Sequence, residues 1–288
     1  MAQLQYPTID LIQDYIHSIY SSSSRIQIDI TVLGDAVGKN TDNGKYVVIS
    51  LPDQEPLIGI DIPVLVKKSR FDRPVIAIVA QDPLRSKTDK MLPVTPPGNA
   101  IIGTPFALHY NEEKYLQTAV YRRIIEMLLE EGYDVYITDA CKIYPRKKGL
   151  KKNDEIDLLK REIIDRIKPC LAITLGSDAK KYFNKIKKLY EERGGKVINL
   201  LHPSQQNWDH WKQWIFEQAF YEKDRGETGP YAGIADSFSR RSTMFDDQKF
   251  RDPKKTMPDL IVELVRIMIE NKLKEILAAG HKAVVNNN

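Results

Sequence analysis

Two short polar motifs follow apolar runs in distant parts of the chain. Gln81-Asp82-Pro83 follows Val75-Ile76-Ala77-Ile78-Val79-Ala80, and His202-Pro203-Ser204 follows Val197-Ile198-Asn199-Leu200-Leu201. Each run has the composition of a strand covered on both faces. In open α/β sheets, ligands bind beyond the carboxyl ends of the strands. An aspartate and a histidine delivered there from two strands make an acid/base pair, which points to an enzyme. Two further apolar runs stop in the same manner, one at Asp139 and one at Gly176. Asp82, Asp139, Gly176 and His202 are therefore the strand-end residues that carry the argument. Other chemistries lack their spacing: there is no glycine-rich phosphate loop, no His-Glu-x-x-His, no paired Cys-x-x-Cys and no Gly-x-Ser-x-Gly. Among five histidines and two cysteines no spacing supports a metal, and no cofactor is expected.

These residues need a frame. Residues 75–79, 134–138, 171–175 and 197–201 read as strands, while residues 112–131, 154–168 and 178–193 have helical periodicity. Gly132 and Gly194-Gly195 read as C-terminal stops, Pro169 ends the middle helix, and Ser177 is expected to cap the third. A further helix over residues 208–222 carries Trp208, Trp211 and Trp214, expected in the core rather than as a stacking platform. Strand alternating with helix implies an α/β fold: a three-layer α/β/α arrangement around a mostly parallel central sheet. The stretch through Pro93, Pro96, Pro97, Gly98 and Gly103 reads as a loop. Upstream, residues 8–20 read as an amphipathic helix capped by Thr8, and residues 26–33 and 45–51 as strands, with Asn43-Gly44 a turn. Residues 1–70 are expected to form an N-terminal extension or small lobe, and residues 71–222 the core. Residues 223–288 are expected to form a polar excursion and then an apolar helix over 258–279, stopped by Gly280 and packed on the core. An oligomer contact is the alternative for that helix, and the asparagine tail is expected to be disordered.

The chain has 288 residues, 42% of them hydrophobic, which suffices for a sizeable core. A net charge of +4 and a pI near 8.8 permit a polyanionic partner without demanding one. Two basic clusters stand out: Arg146, Lys147, Lys148, Lys151 and Lys152, then Lys180, Lys181, Lys185, Lys187 and Lys188. Cys141 and Cys170 make neither a disulfide framework nor an iron–sulfur site. The first residues lack the basic-then-apolar pattern of a leader, and no apolar run is long enough to span a bilayer. No membrane partner is expected, and the expected setting is a reducing cytoplasm.

With these residues in order, the chain resembles the uracil-DNA glycosylase superfamily. Gln81-Asp82-Pro83 resembles its water-activating motif, Gly103-Thr104-Pro105-Phe106 the segment whose Phe stacks on the extruded base, and Thr138-Asp139-Ala140-Cys141 its base-reading strand end. Leu175-Gly176-Ser177-Asp178-Ala179 is similar to its Leu-Gly-x-x-Ala turn, and His202-Pro203-Ser204 to its second catalytic motif. The resemblance covers about residues 71–215. It implies a DNA glycosylase with DNA as partner. A base inside a duplex is unreachable and must be flipped out. Asp82 is then expected to stabilise the oxocarbenium-like sugar and to orient water, and His202 to hydrogen-bond the pyrimidine O2 as charge develops there. Phe106 is expected to stack on the base, Gln81 to donate to it from the backbone, and Ser86 and Ser204 to hold phosphates. Gln205-Gln206-Asn207 is expected to occupy the intercalating loop, with Gln206 where a leucine wedge often stands.

Two departures bear on the substrate. Uracil-specific relatives carry Asn at the base-reading position, an amide that accepts from N3–H and donates to O4. Here it is Asp139, and an ionised carboxylate only accepts, as from the exocyclic amine of cytosine. Lys142 is an alternative reader. Those relatives also place Tyr against C5 of the pyrimidine, where this chain has Leu84, leaving room for a 5-substituent. The two departures together suggest a 5-modified cytosine, hydroxymethylated or glucosylated, and a role in defence against phage. The alternatives are uracil or damaged-base repair, a catalytically inactive DNA-binding relative, and hydrolysis of free nucleosides.

Overall fold

Apolar runs bounded by turn residues build the centre of the fold, seen here in a computed structural model that describes residues 3–20, 47–50, 58–81, 99–108, 120–144, 151–202, 210–211, 213–214 and 257–285. The chain divides into two compact units, residues 1–113 with 128–199 and residues 114–127 with 200–288.

In the first unit the elements run β1 (Gln3–Gln5), α1 (Ile9–Tyr20), β2 (Val47–Ser50), β3 (Ile58–Asp61), β4 (Val64–Lys67), β5 (Val75–Ala80) and β6 (Asn99–Gly103). After a 3-10 turn at Pro105–Ala107 come α2 (Val120–Glu130, begun in the second unit), β7 (Asp134–Asp139), β8 (Ile143–Tyr144), α3 (Lys152–Lys160) and β9 (Leu171–Leu175). Then follow α4 (Ser177–Phe183), α5 (Lys187–Glu192) and β10 (Lys196–Leu200). The central sheet has the order β1-β4-β7-β5-β9-β10. Its middle is parallel, with Ile76 of β5 opposite Val135 of β7 and Leu171 of β9, so the carboxyl ends of these strands share one edge. β4 joins β7 antiparallel, and β1 joins β4 antiparallel, making the sheet mixed. The segment expected as an N-terminal extension thus shares a sheet with the core strands.

Helices cover this sheet because its strands are apolar on both faces. Ala77, Val79, Tyr136 and Ala172 pack with Leu159, Ile163, Phe183 and Tyr190 in one buried cluster. Each large side chain buried there contributes about 1.5–3 kcal/mol of transfer free energy. A second sheet, β2-β6-β3-β8, was not expected. Ile60, Ile102 and Ile143 from it, with Ile62 just after β3, pack against Leu11, Ile12 and Ile16 of α1.

Several expectations change. Residues 99–103, read as loop, form β6, paired parallel to β3 and antiparallel to β2. The expected cap Thr8 does precede α1, but its hydroxyl lies 2.9 Å from the buried Tyr136 hydroxyl. The helix expected over 154–168 becomes a π-helical turn at Arg161–Ile167, closed by Lys168 at φ 54°. The helix expected over 178–193 breaks into α4 and α5, and its cap is Gly176 rather than Ser177. The strand expected over 26–33 lies outside the described residues.

In the second unit, residues 210, 211, 213 and 214 are helical and Met257–Val285 forms α6, which runs through Gly280 instead of stopping there. Ile261, Leu264, Val265 and Ile269 are buried, a stripe of helical period. Arg123 of α2 forms an ion pair with Asp259 of α6. Among the described residues no helix is long and apolar enough to cross a membrane.

Candidate active site

The parallel strands β5, β7 and β9 deliver three of the sequence-predicted segments to one edge of the first unit. β5 and β7 stay locked beyond their last paired residues. Asp139 is in register with Ala80, and then the Ala140 and Cys141 amides donate to the Ala80 and Gln81 carbonyls, each at 2.9 Å. Gln81 is half-buried at this edge, and Asp139 is buried, at 2% exposure. A polar side chain that deep is out of reach of bulk water, so its hydrogen-bonding preference weighs heavily on whatever group meets it.

Phe106 stands on the 3-10 turn, which packs beside β7. Its backbone has φ 56° and ψ 20°, a left-handed conformation that a Phe adopts only under constraint. Such strain clusters at functional sites. The turn grows out of β6: Gly103 is paired with Asp61 of β3, and the Ile62 amide donates to the Gly103 carbonyl at 2.8 Å. Thr104 is fully buried. Asp61 is itself buried, at 3% exposure, a second carboxylate beside the Phe106 segment that sequence reasoning missed. Its only signal was the alternation Ile58-Gly59-Ile60-Asp61-Ile62. At the end of β9, Gly176 has φ 88°, which a side chain would resist, and α4 begins at once.

In the second unit His202 follows the end of β10 by two residues and is half-buried. Burial pushes its imidazole below the ordinary value of 6.5, so the ring is neutral at pH 7. A neutral ring offers one N–H donor and one acceptor nitrogen. Its backbone carbonyl accepts from the indole N–H of Trp211 at 3.3 Å. Trp211 is fully buried and meets Trp214 edge-on, with ring centroids 5.8 Å apart. The tryptophans expected in the core thus include one that holds the histidine segment. Asp82, Leu84, Ser86, Ser204, Gln205, Gln206 and Trp208 lie outside the described residues.

Lys142, the alternative reader, does not face the strand-end surface in this structure. It is fully buried, and its ammonium is engaged by Glu162 at 2.8 Å. Of the basic clusters, Lys151, Lys180, Lys181 and Lys185 are exposed, Lys152 lies over the Tyr182 ring at 4.6 Å, and Lys187 and Lys188 pair with Glu191 and Glu192. Arg146, Lys147 and Lys148 lie outside the described residues. Among the described residues no group of His, Cys, Asp or Glu side chains is arranged to hold a metal ion. A cavity of about 250 Å³ between Lys168, Tyr190, Arg193 and Gly195 lies at the amino-terminal side of β9 and β10, away from the Gly176 edge.

A mixed α/β fold with polar residues gathered at the carboxyl ends of parallel strands defines the class of protein. The particular family follows from comparison. The family model of the uracil DNA glycosylase superfamily matches residues 70–223, more than half of the chain, and the chain belongs to that superfamily. Membership supports a DNA glycosylase in general, with DNA as the substrate. No curated protein and no solved structure matches the chain.

Proposed function

We propose that this chain is an active glycosylase that removes a 5-modified cytosine, hydroxymethylated or glucosylated, from DNA in the cytoplasm and leaves an abasic site. The observation that carries the reading is Asp139: a carboxylate at 2% exposure on the end of β7, where the superfamily reads the base. Ionised, it accepts from an exocyclic amine and donates nothing, which suits a cytosine edge and disfavours the O4 of uracil. The substitution of Leu84 for the family's Tyr supports tolerance of a 5-substituent. Ordinary cytosine is abundant, so a required modification protects the cell's own DNA, and modified cytosines of this kind suit a role against phage.

In this reading the flipped base stacks on Phe106 and is addressed by the Gln81 backbone. Asp82 stabilises the positive charge that develops at the sugar and orients the attacking water. His202, neutral because burial disfavours its charged form, donates a hydrogen bond to the pyrimidine O2 as the base departs with the bonding electrons. Ser86, Ser204 and Gln205 hold the backbone, and Gln206 fills the gap in the stack.

The test is a panel of oligonucleotides carrying uracil, cytosine, hydroxymethylcytosine or its glucosylated form, assayed for alkali-labile abasic sites. Cleavage at the modified cytosines, and a shift towards uracil in Asp139→Asn, are the expected results. Cleavage at uracil alone sinks the argument from Asp139. DNA binding without any cleavage favours an inactive relative.

A further inference from the structure

Behind the base-reading strand end lies a buried charged cluster that the catalytic reading does not use. Lys142 and Glu162 are both fully buried, their charged groups 2.8 Å apart. The Lys142 ammonium has three hydrogens and three acceptors: the Glu162 carboxylate, the Thr138 hydroxyl and the backbone carbonyl of Asp139. The Thr138 hydroxyl passes its own proton donation to the same Glu162 oxygen at 2.8 Å. Close by, Tyr136 is pushed well above the ordinary phenol range by burial and by the Glu162 charge, so it stays a neutral hydroxyl, shared with Thr8 at 2.9 Å.

The cluster is expensive, because two ions are taken fully out of water. A well-packed apolar pair would fill the space at no such cost, so stability alone is a poor reason for it. Its geometry supplies another. Lys142 is the third residue after Asp139 and reaches back to the Asp139 carbonyl, closing the segment 139–142 on itself. The amides of Ala140 and Cys141, inside that closed segment, are bonded to Ala80 and Gln81. The end of β7 is therefore held by β5 through its amides and by Lys142 through its carbonyl. Glu162 comes from the π-helical turn Arg161–Ile167, an insertion in the helix that is common where a functional residue must be aimed.

We propose that Lys142, charge-balanced by Glu162, is a positioning residue that fixes the backbone of Asp139 and thereby sets its carboxyl for discrimination between bases. The specificity part rests on the proposed function, and the positioning part does not. Removing Lys142 alone strands the Glu162 charge and endangers folding. The informative protein is Lys142→Met/Glu162→Gln in the full chain, which leaves neither charge and keeps an acceptor for Thr138. Should it not fold, Lys142→Gln/Glu162→Gln is read in its place. Amide hydrogen exchange is measured beside the rates on the oligonucleotide panel.

The expected result has two parts. Exchange at the Ala140 and Cys141 amides rises about tenfold or more, with the amides of Ile76 to Ile78 inside β5 unchanged. The preference among bases narrows by a similar factor. Unchanged exchange at Ala140 and Cys141 overturns the positioning role, and so does a rise spread evenly over the sheet, which marks general loosening. A local rise with an unaltered ranking of bases overturns the specificity role. Should the wild-type chain excise no base at all, the glycosylase reading falls, and the exchange pattern still decides whether Lys142 positions Asp139.

Discussion

Replacing Phe106 by alanine and by glycine separates two claims made of one residue. The left-handed backbone, at φ 56° and ψ 20°, costs an L-residue about 1–2 kcal/mol. Phe106→Ala keeps that cost. Phe106→Gly relieves it, less about 0.5–1 kcal/mol for the freer unfolded chain. Both variants lose the same half-buried ring, so that loss cancels between them. Glycine should therefore be the more stable variant by about 0.5–1 kcal/mol, or about 1–4 °C in Tm. Both should lose the stacking of the base, worth about 1–3 kcal/mol. That predicts a fall in kcat/KM of about 5- to 150-fold. Denaturant unfolding gives the first comparison and single-turnover excision the second. An alanine variant at least as stable as the glycine variant refutes the strain, and an alanine variant with wild-type kcat/KM refutes the stacking.

Three further expectations follow from named contacts. Burial lowers the His202 pKa below 6.5, so the unfolded chain binds the extra proton first. Stability from this group is then full above pH 6.5 and is lost as pH falls through the lower folded value, as unfolding measured from pH 7.5 to 5 will show. Any change in excision rate caused by protonation of His202 should lie below pH 6.5 and vanish in His202→Gln, which keeps a neutral donor; a change centred above 6.5 contradicts the neutral ring. A Cβ on Gly195 would lie 2.3 Å from the Tyr190 ring, which is pinned by its hydroxyl on the Pro169 carbonyl and by Phe183 edge-on. Gly195→Ala should cost about 1–3 kcal/mol in chemical denaturation, and no measurable loss would mean that the ring moves freely.

The parallel centre of the sheet was legible in the sequence because β5, β7 and β9 are apolar runs closed by polar or glycine residues, and β10 at the sheet's edge has a similar pattern. Asp139 and Gln81 came with it, since a strand end fixes where the next side chain stands. The second sheet was hidden. In β6 only Ala100, Ile101 and Ile102 are apolar, and they follow a run dominated by Pro93, Pro96, Pro97 and Gly98. In β3 and β4 the alternation of Ile60, Ile62, Val64 and Val66 is interrupted by Pro63, which reads as a breaker but serves as the corner between two strands of different sheets. Asp61 was lost with β3. The break between α4 and α5 goes with packing, Tyr182, Phe183, Ile186 and Tyr190 all being turned into the core, and the π turn buries Ile163 and Ile164 in the same cluster. Local periodicity over 178–193 does not distinguish one helix from two. The Lys142–Glu162 pair had no signal, because its partners lie on a strand exit and a helix and meet only once the chain has folded.

The most direct test of the account is the chemical identity of the free base released. The full-length protein is incubated with a mixture of unmodified, uracil-containing and glucosylated hydroxymethylcytosine DNA, and the small-molecule fraction is analysed by mass spectrometry. Release of the modified cytosine, abolished by Asp82→Ala and slowed about 100- to 1,000-fold by His202→Ala, is the predicted result. Release of uracil alone, or of no base from any of the three DNAs, would contradict it.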